Sequence, residues 1–88
     1  VTAALTASYR NWQSLTERLR RYDEALLPQS KQRVAAALAG YQSGRGKLAE
    51  VLDARRSLLE SELMRLDLQV EVARERLALQ YFETEAGQ

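Results

Sequence analysis

The chain has 88 residues, a formal net charge of +1, and neither cysteine nor histidine. Its length allows one small domain with a modest core, and its near-neutral charge gives no electrostatic reason to expect nucleic acid or an acidic membrane surface as a partner. Without cysteine and histidine, the chain cannot form disulfides, use a thiolate or offer the usual transition-metal ligands. We therefore expect no catalytic site, no cofactor and no metal site.

The composition favours helix. Ala, Leu, Arg, Glu and Gln are frequent, whereas the chain holds one proline and four glycines, which is typical of coiled coils and long helices. No apolar run approaches the roughly 18 residues that a membrane-spanning helix needs. The chain starts at Val1 rather than at a methionine and shows no signal peptide, so we expect a piece of a longer, processed protein.

A first helix is predicted over about residues 2–42, because apolar residues recur at steps of three and four from Trp12 onward. This series consists of Leu5, Trp12, Leu15, Leu19, Tyr22 and Leu26. Pro28 then removes one backbone donor and pushes its ring against the carbonyl of Glu24, which costs about 3 kcal/mol in a straight helix. The series changes phase there and continues as Leu27, Val34, Leu38 and Tyr41. We expect a kink near Pro28, with helix resuming at once.

A short polar segment, residues 42–47, separates the first helix from the second, and the tip is predicted at 43–46. Gly44 is expected to adopt the left-handed conformation that ends a helix. Glu50 suits the first turn of the following helix, where its charge favours the positive end of the helix dipole. A connection this short makes the two helices antiparallel.

The second helix, predicted over about residues 47–83, carries two apolar stripes. The first is a strict heptad stripe formed by Leu59, Leu63, Leu66, Val70, Ala73 and Leu77. The second comprises Met64, Leu68, Val72, Leu79 and Phe82. A helix with two stripes needs a neighbour on each side, as in a wall or barrel of helices. The predicted fold is therefore all-α: residues 1–88 form one long antiparallel helical hairpin.

The charged residues are interpreted as solvated helix faces. Acidic side chains are interleaved with the arginines near residues 20 and 55, and the carboxylates of the second helix have arginines at helical spacing. Tyr41 and Asp53 are different, since they flank the tip, where a hairpin has no core left to fill. The Tyr41 hydroxyl can bond to a neighbouring hairpin, and Asp53 can accept such a bond or pair with an arginine. Alternatively, the Tyr41 ring packs on Leu48 and Leu52.

The residues around the tip resemble a known family. The pattern is Ala39-Gly40-Tyr41-x-x-Gly44 followed by Leu48-x-x-Val51-Leu52-Asp53-Ala54-x-Arg56-x-Leu58. It is similar to the TolC-like outer-membrane factors, the exit channels of bacterial tripartite efflux pumps and of type I secretion. The preceding stretch, "LLPQSKQRVAAALAGY" at residues 26–41, also resembles the branch that serves heavy-metal and related pumps.

The resemblance implies a role outside catalysis. Members are homotrimers whose hairpins form a hollow helical cylinder across the periplasm of Gram-negative bacteria, below a β-barrel in the outer membrane. Each chain holds two such hairpins, and this one matches the C-terminal hairpin. The implied partners are the adaptor (membrane fusion) protein and the inner-membrane pump. Barrel strands are absent from these 88 residues, so this piece meets the membrane only through other parts of the protein.

The resemblance also implies roles for particular residues. Tyr41 and Asp53 match positions at the aperture, where bonds between helices hold the entrance closed, and Arg45 is a candidate to replace an aperture arginine that this sequence lacks. The positions expected to contact the adaptor are Ser43, Gly44, Arg45 and Leu48. This sequence has Gly46 where some members carry an aperture arginine, and the charged Arg45 where members often have a small or apolar residue.

The rival account is a self-contained coiled-coil interaction module, such as the hairpin of a membrane fusion protein. It predicts one dominant apolar stripe on each helix and no special role for the turn. An enzyme is a distant third, because no nucleophile–base pair exists without histidine or cysteine. For the isolated chain we expect self-association, since a single hairpin covers only one of the two stripes on the second helix.

Overall fold

The computed structural model describes residues 2–86 as a helical hairpin about 67 Å long and 15 Å across in each other direction. The first arm consists of α1 (Thr2–Arg21), a π-helical turn (Tyr22–Leu26) and α2 (Leu27–Gln42). The second arm is the single helix α3 (Leu48–Ala86), and the described residues contain no strand. The prediction of an all-α antiparallel hairpin is confirmed. α3 ends three residues beyond the expected bound, and residues 1, 87 and 88 of the predicted hairpin lie outside the described range.

The two arms meet along one narrow seam. Its α3 side, here called the inner seam, follows alternating steps of three and four and contains Val51, Ala54, Leu58, Ser61, Arg65, Leu68, Val72, Glu75, Leu79 and Phe82. Only four apolar side chains of the described residues are buried: Leu15, Val51, Ala54 and Leu68. The core is thus a single line of contacts, because two helices alone cannot enclose a side chain from every direction.

The two charged side chains of the inner seam, Arg65 and Glu75, have partners on the first arm. The Asn11 Nδ2 atom donates a hydrogen bond of 2.9 Å to Oε1 of Glu75. Arg65 donates through its guanidinium to the carboxylate of Asp23 and forms an ion pair with it. These contacts join residues 64 and 42 positions apart in the chain, so they fix how the arms are aligned.

The irregularity expected at Pro28 is a π turn that lies just before it. The Leu27 backbone N–H donates to the Tyr22 carbonyl, five residues earlier, whereas Pro28 sits in the first turn of α2. A π turn accommodates one extra residue in a helix. The helix therefore passes Pro28 without the break that its missing donor would otherwise cause.

The extra residue also changes which side chains face α3. Inward positions step by three and four as far as Tyr22 and then by five to Leu27. Consequently Leu27 is half-buried, and the Leu26 side chain is 43% exposed. The prediction that Leu26 belongs to the inward series was wrong, because regular helical spacing does not continue through the π turn.

The strict heptad stripe of α3 does not face the first arm. Its residues, here called the outer stripe, are all exposed: Leu59, Leu63, Leu66, Val70, Ala73 and Leu77. At 3.6 residues per turn, the outer stripe and the inner seam lie about 150° apart around the helix axis. The second predicted stripe supplies the inner seam instead, except for Met64, which is 50% exposed and does not belong to it.

Within residues 2–86, no helix combines the length and the apolar character that crossing a bilayer requires.

Candidate functional site at the hairpin tip and the outer stripe

The tip is closed by backbone hydrogen bonds. The Arg45 N–H donates to the Gly40 carbonyl at 2.9 Å, and the Gly44 N–H donates to the Tyr41 carbonyl at 3.1 Å. This pair of bonds is the Schellman motif, which ends a helix through a residue in the left-handed conformation. Gly44 supplies that residue with a φ of 79°, as the sequence predicts.

The carbonyl oxygen of Gly40 accepts three of the hydrogen bonds that hold the tip together. It accepts hydrogen bonds from the N–H groups of Arg45 and Gly46, both at 2.9 Å, and from the Ser43 hydroxyl at 3.0 Å. The chain passes close to itself here: a Cβ on Gly46 would lie 3.2 Å from the Gly40 carbonyl carbon and 3.3 Å from the Tyr41 nitrogen. The close backbone approach therefore favours glycine at position 46, a role that the sequence alone does not indicate.

The structure brings the predicted adaptor-contact residues together in one ordered turn. The Arg45 Nε atom donates to the Ser43 Oγ atom at 3.3 Å, and Gly44 lies between them. Leu48 follows as the first residue of α3, with half of its surface exposed. Because the hydroxyl of Ser43 is itself bound to Gly40, the Arg45 side chain is tied back to the end of α2.

Tyr41 and Asp53 lie on opposite arms beside the tip. Tyr41 is in the last turn of α2 and is 45% exposed, while Asp53 is in the second turn of α3. Asp53 lines an open groove between the arms together with Arg33 and Glu50. Among residues 2–86 no hydrogen bond joins Tyr41 to Asp53, so the hairpin brings the two to the same end without bonding them to each other.

The alternative expectation for Tyr41 was packing against the first turns of α3. Leu48 and Leu52 are 50% and 58% exposed, so such packing buries little of either side chain. Glu50, expected to support the start of α3, donates its backbone N–H to the Lys47 carbonyl at 3.1 Å. Its carboxylate makes no hydrogen bond within the described part of the chain.

The groups with displaced pKa values lie away from the tip. Hydrogen bonding to Arg20 lowers the pKa of Glu17 on the exposed face of α1, and the same contact raises the pKa of Arg20. The hydrogen bond to Asp23 raises the pKa of Arg65. All of these shifts favour the charged forms that the ion pairs need. These pKa shifts therefore reflect ion pairs along the arms.

The remaining surface offers shallow grooves, and residues 2–86 contain no cluster of three or more candidate metal ligands. The two surfaces that stand out are the ordered tip and the outer stripe of α3. Comparison of the chain with protein-family models, with curated proteins and with solved structures found no match.

Proposed function

We propose that this chain is a non-catalytic structural hairpin, namely the periplasmic wall segment of a TolC-like outer-membrane efflux channel. The observation that supports this most is the arrangement of α3. Its inner seam faces the first arm, and its outer stripe lies on the nearly opposite face with every member exposed. Exposed apolar stripes of this length are characteristic of surfaces that bind another protein. A helix in a cylinder wall needs such neighbours on two sides.

In this proposal the tip acts as the entrance of the channel. Tyr41 and Asp53 would bond to neighbouring hairpins and hold the aperture closed, with Arg45 as a further contact. The adaptor would bind the exposed turn through Ser43, Gly44, Arg45 and Leu48. Adaptor binding can open the entrance only if these contacts are more favourable in the open state than in the closed state. The inner-membrane pump would determine which substrate is exported.

The test is conductance of the full-length protein in planar bilayers. The variant combines Tyr41→Phe with Asp53→Ala, which removes one hydroxyl and one carboxylate from the tip. A matched control combines Tyr81→Phe with Asp67→Ala, which removes the same groups from exposed positions far along α3. We expect a low-conductance wild type and control, and a higher conductance for the tip variant. Unchanged conductance of the tip variant would contradict the aperture role, and absence of any channel would contradict the whole proposal.

A second candidate function, a self-contained coiled-coil interaction module, is supported by a different observation. The large exposed apolar residues of the first arm are only Tyr9, Leu26 and Tyr41 among those described, whereas α3 carries a continuous stripe. An interaction module could therefore bind its partner through α3 alone, without using the first arm. The sequence of the full reading frame distinguishes the two candidate functions. A channel requires regularly spaced amphipathic strands of about ten residues elsewhere in that reading frame. A reading frame without them favours the module.

A further inference from the structure

The outer stripe is flanked by charged side chains that form no ion pair with any of the residues 2–86. The stripe occupies the a and d positions of a heptad, and the e and g positions beside it are mostly charged. These flanking residues are Asp53, Arg55, Glu60, Glu62, Asp67, Arg74, Arg76 and Glu83. All are exposed, and within residues 2–86 none of them forms an ion pair. They are therefore available to a helix that covers the stripe.

We propose that a second copy of this chain covers the outer stripe, with its α3 antiparallel to the first. In the register we assign, Leu66 faces Val70 of the second copy, and the twofold axis lies close to residue 68. Leu63 then faces Ala73 of the second copy, and Leu59 faces Leu77. Every apolar residue of the stripe thus has an apolar residue opposite it.

The same register pairs the flanking charges. In an antiparallel coiled coil, e positions lie beside e positions and g positions beside g positions of the other helix. The opposite-charge pairs, each formed twice because of the symmetry, are Glu60 with Arg74, Glu62 with Arg76, and Arg55 with Glu83. One like-charge pair remains, between the two copies of Asp67 at the axis. Such flanking charges select the orientation and register of coiled-coil partners.

Other arrangements lose this complementarity. A shift of one heptad in one direction pairs Asp53 with Arg74 but sets Arg55 beside Arg76 and Glu60 beside Asp67. The opposite shift pairs Asp67 with Arg74 but sets Glu62 beside Glu83, so neither shift gains more opposite-charge pairs than like-charge pairs. In a parallel pair, each g position lies beside the following e position of the partner. That arrangement forms a new opposite-charge pair, Arg55 with Glu60, but places Glu62 against Asp67. The charges therefore favour one antiparallel register over the parallel pair and over both neighbouring registers.

The first arm does not obstruct this association. Because the outer stripe lies about 150° from the inner seam around α3, a second α3 can approach while the first arm stays in place. The product is a flat layer of four arms, with the two α3 helices in the middle. This inference requires only α3 and does not depend on the proposed channel, in which neighbouring hairpins would cover the same stripe.

The association is tested by sedimentation equilibrium of the 88-residue chain over a range of concentrations. We expect a dimer for the wild type, and a dissociation constant raised by about 100-fold or more for Leu66→Gln combined with Val70→Gln. Met64→Gln is the matched control, since Met64 is equally exposed but lies beside the stripe, and it should dissociate like the wild type. Circular dichroism confirms that each variant remains helical. A wild type that stays monomeric, or forms a trimer or larger assembly, overturns the proposal.

Charge reversal at flanking positions tests the register without changing any apolar residue of the outer stripe. Glu62→Arg alone and Arg76→Glu alone each set like charges side by side and should weaken the dimer, whereas the two together should restore it. In a parallel dimer Glu62→Arg would instead face Asp67 and strengthen the association. Strengthening by Glu62→Arg, or failure of the double variant to recover, overturns the antiparallel register.

A distance measurement gives a second, independent test of direction. The chain has no cysteine, so Gln80→Cys provides a single attachment site for a spin label. With the axis close to residue 68, the two labels in the antiparallel dimer lie about 36 Å apart along the helix axis at 1.5 Å per residue. In a parallel dimer they would lie side by side. A short distance at this position therefore contradicts the proposal, and a long one supports it.

Discussion

Asp23, on the π turn of the first arm, forms an ion pair with Arg65, which occupies an inner-seam position of α3. The two side chains keep 44% and 33% of their surface exposed, so the charges stay in contact with water. A long arginine is tolerated at a packing position because its stem can lie along the seam while its charged end reaches the edge. The pair fixes the alignment of the arms at the level of the π turn.

Removing the charge of Asp23 should lower the stability of the hairpin slightly. We expect Asp23→Asn to lower the melting temperature measured by circular dichroism in dilute solution, with a smaller effect in high salt because exposed ion pairs are screened. Asp53→Asn is the control: it removes the same charge from an exposed aspartate that has no ion pair within residues 2–86. Equal losses in both variants would show that the cross-arm pair contributes nothing of its own.

The three glycines around the tip should respond differently to alanine. Gly44→Ala should destabilise the hairpin by about 1–2 kcal/mol, because its φ of 79° places a Cβ in the disfavoured left-handed region. Gly46→Ala should also destabilise it, since the new Cβ would press on backbone atoms at 3.2 and 3.3 Å.

Gly40→Ala serves as the internal control for this series. Its Cβ would meet its nearest neighbour at 3.9 Å, an ordinary contact, and alanine is favoured over glycine in a helix by roughly 0.5–1 kcal/mol. We expect this variant to be more stable than the wild type. The order of the three stabilities from urea denaturation checks the geometry of the turn; a destabilised Gly40→Ala variant would contradict it.

A regular helix should replace the π turn if the extra residue is deleted and Pro28 is replaced at the same time. Deleting the exposed Ala25 returns the inward positions of the first arm to regular steps but places Pro28 inside an ordinary helix, at a cost of about 3 kcal/mol. We expect the deletion alone to destabilise the hairpin. Combining it with Pro28→Ala should recover the loss, because a regular helix can then run from Tyr22 to Leu27. Urea denaturation of the deletion, of Pro28→Ala and of the combination separates the two effects, and a combination no better than the deletion would oppose this explanation.

Two neighbouring leucines of α3 should differ sharply in their effect on the monomer. Leu68 is 7% exposed in the inner seam, and Leu66 is 53% exposed in the outer stripe. Truncating a buried leucine to alanine typically costs about 2–5 kcal/mol, so Leu68→Ala should unfold much of this thin core. Leu66→Ala should leave the stability of the dilute monomer nearly unchanged. Thermal unfolding at low protein concentration makes the comparison, and similar losses would mean that the faces are assigned wrongly.

The sequence predicts the hairpin because its signals are local. Helical spacing, the polar gap and Gly44 each act within a few residues, so both arms and the turn follow from them. It does not predict which α3 stripe faces the first arm. The outer stripe has the more regular apolar spacing, whereas the inner seam contains Arg65 and Glu75, which look solvated until their partners on the other arm are known.

At the tip, too, the sequence predicts what depends on one residue but not what depends on contacts between residues. Gly44 could be assigned from its position after a helix, since one residue decides the left-handed conformation. The need for Gly46 arises from its distance to Gly40 and Tyr41, which the sequence alone does not provide. The π turn was not predicted for a related reason. Pro28 indicates that the helix must be irregular nearby, but a break, a kink or an inserted residue can each accommodate the N–H group that proline lacks.

The alignment of the arms sets an order in which the hairpin should fold. Contacts at the tip join residues only a few positions apart, whereas Arg65 meets Asp23 across 42 positions and Asn11 meets Glu75 across 64. The entropy lost in closing a loop grows with its length, by about 0.6 kcal/mol for each doubling. The turn should therefore nucleate folding, and each contact formed shortens the loop that the next one must close. We therefore expect contacts to form from Gly44 outward along the two arms, with the contact between Asn11 and Glu75 forming late.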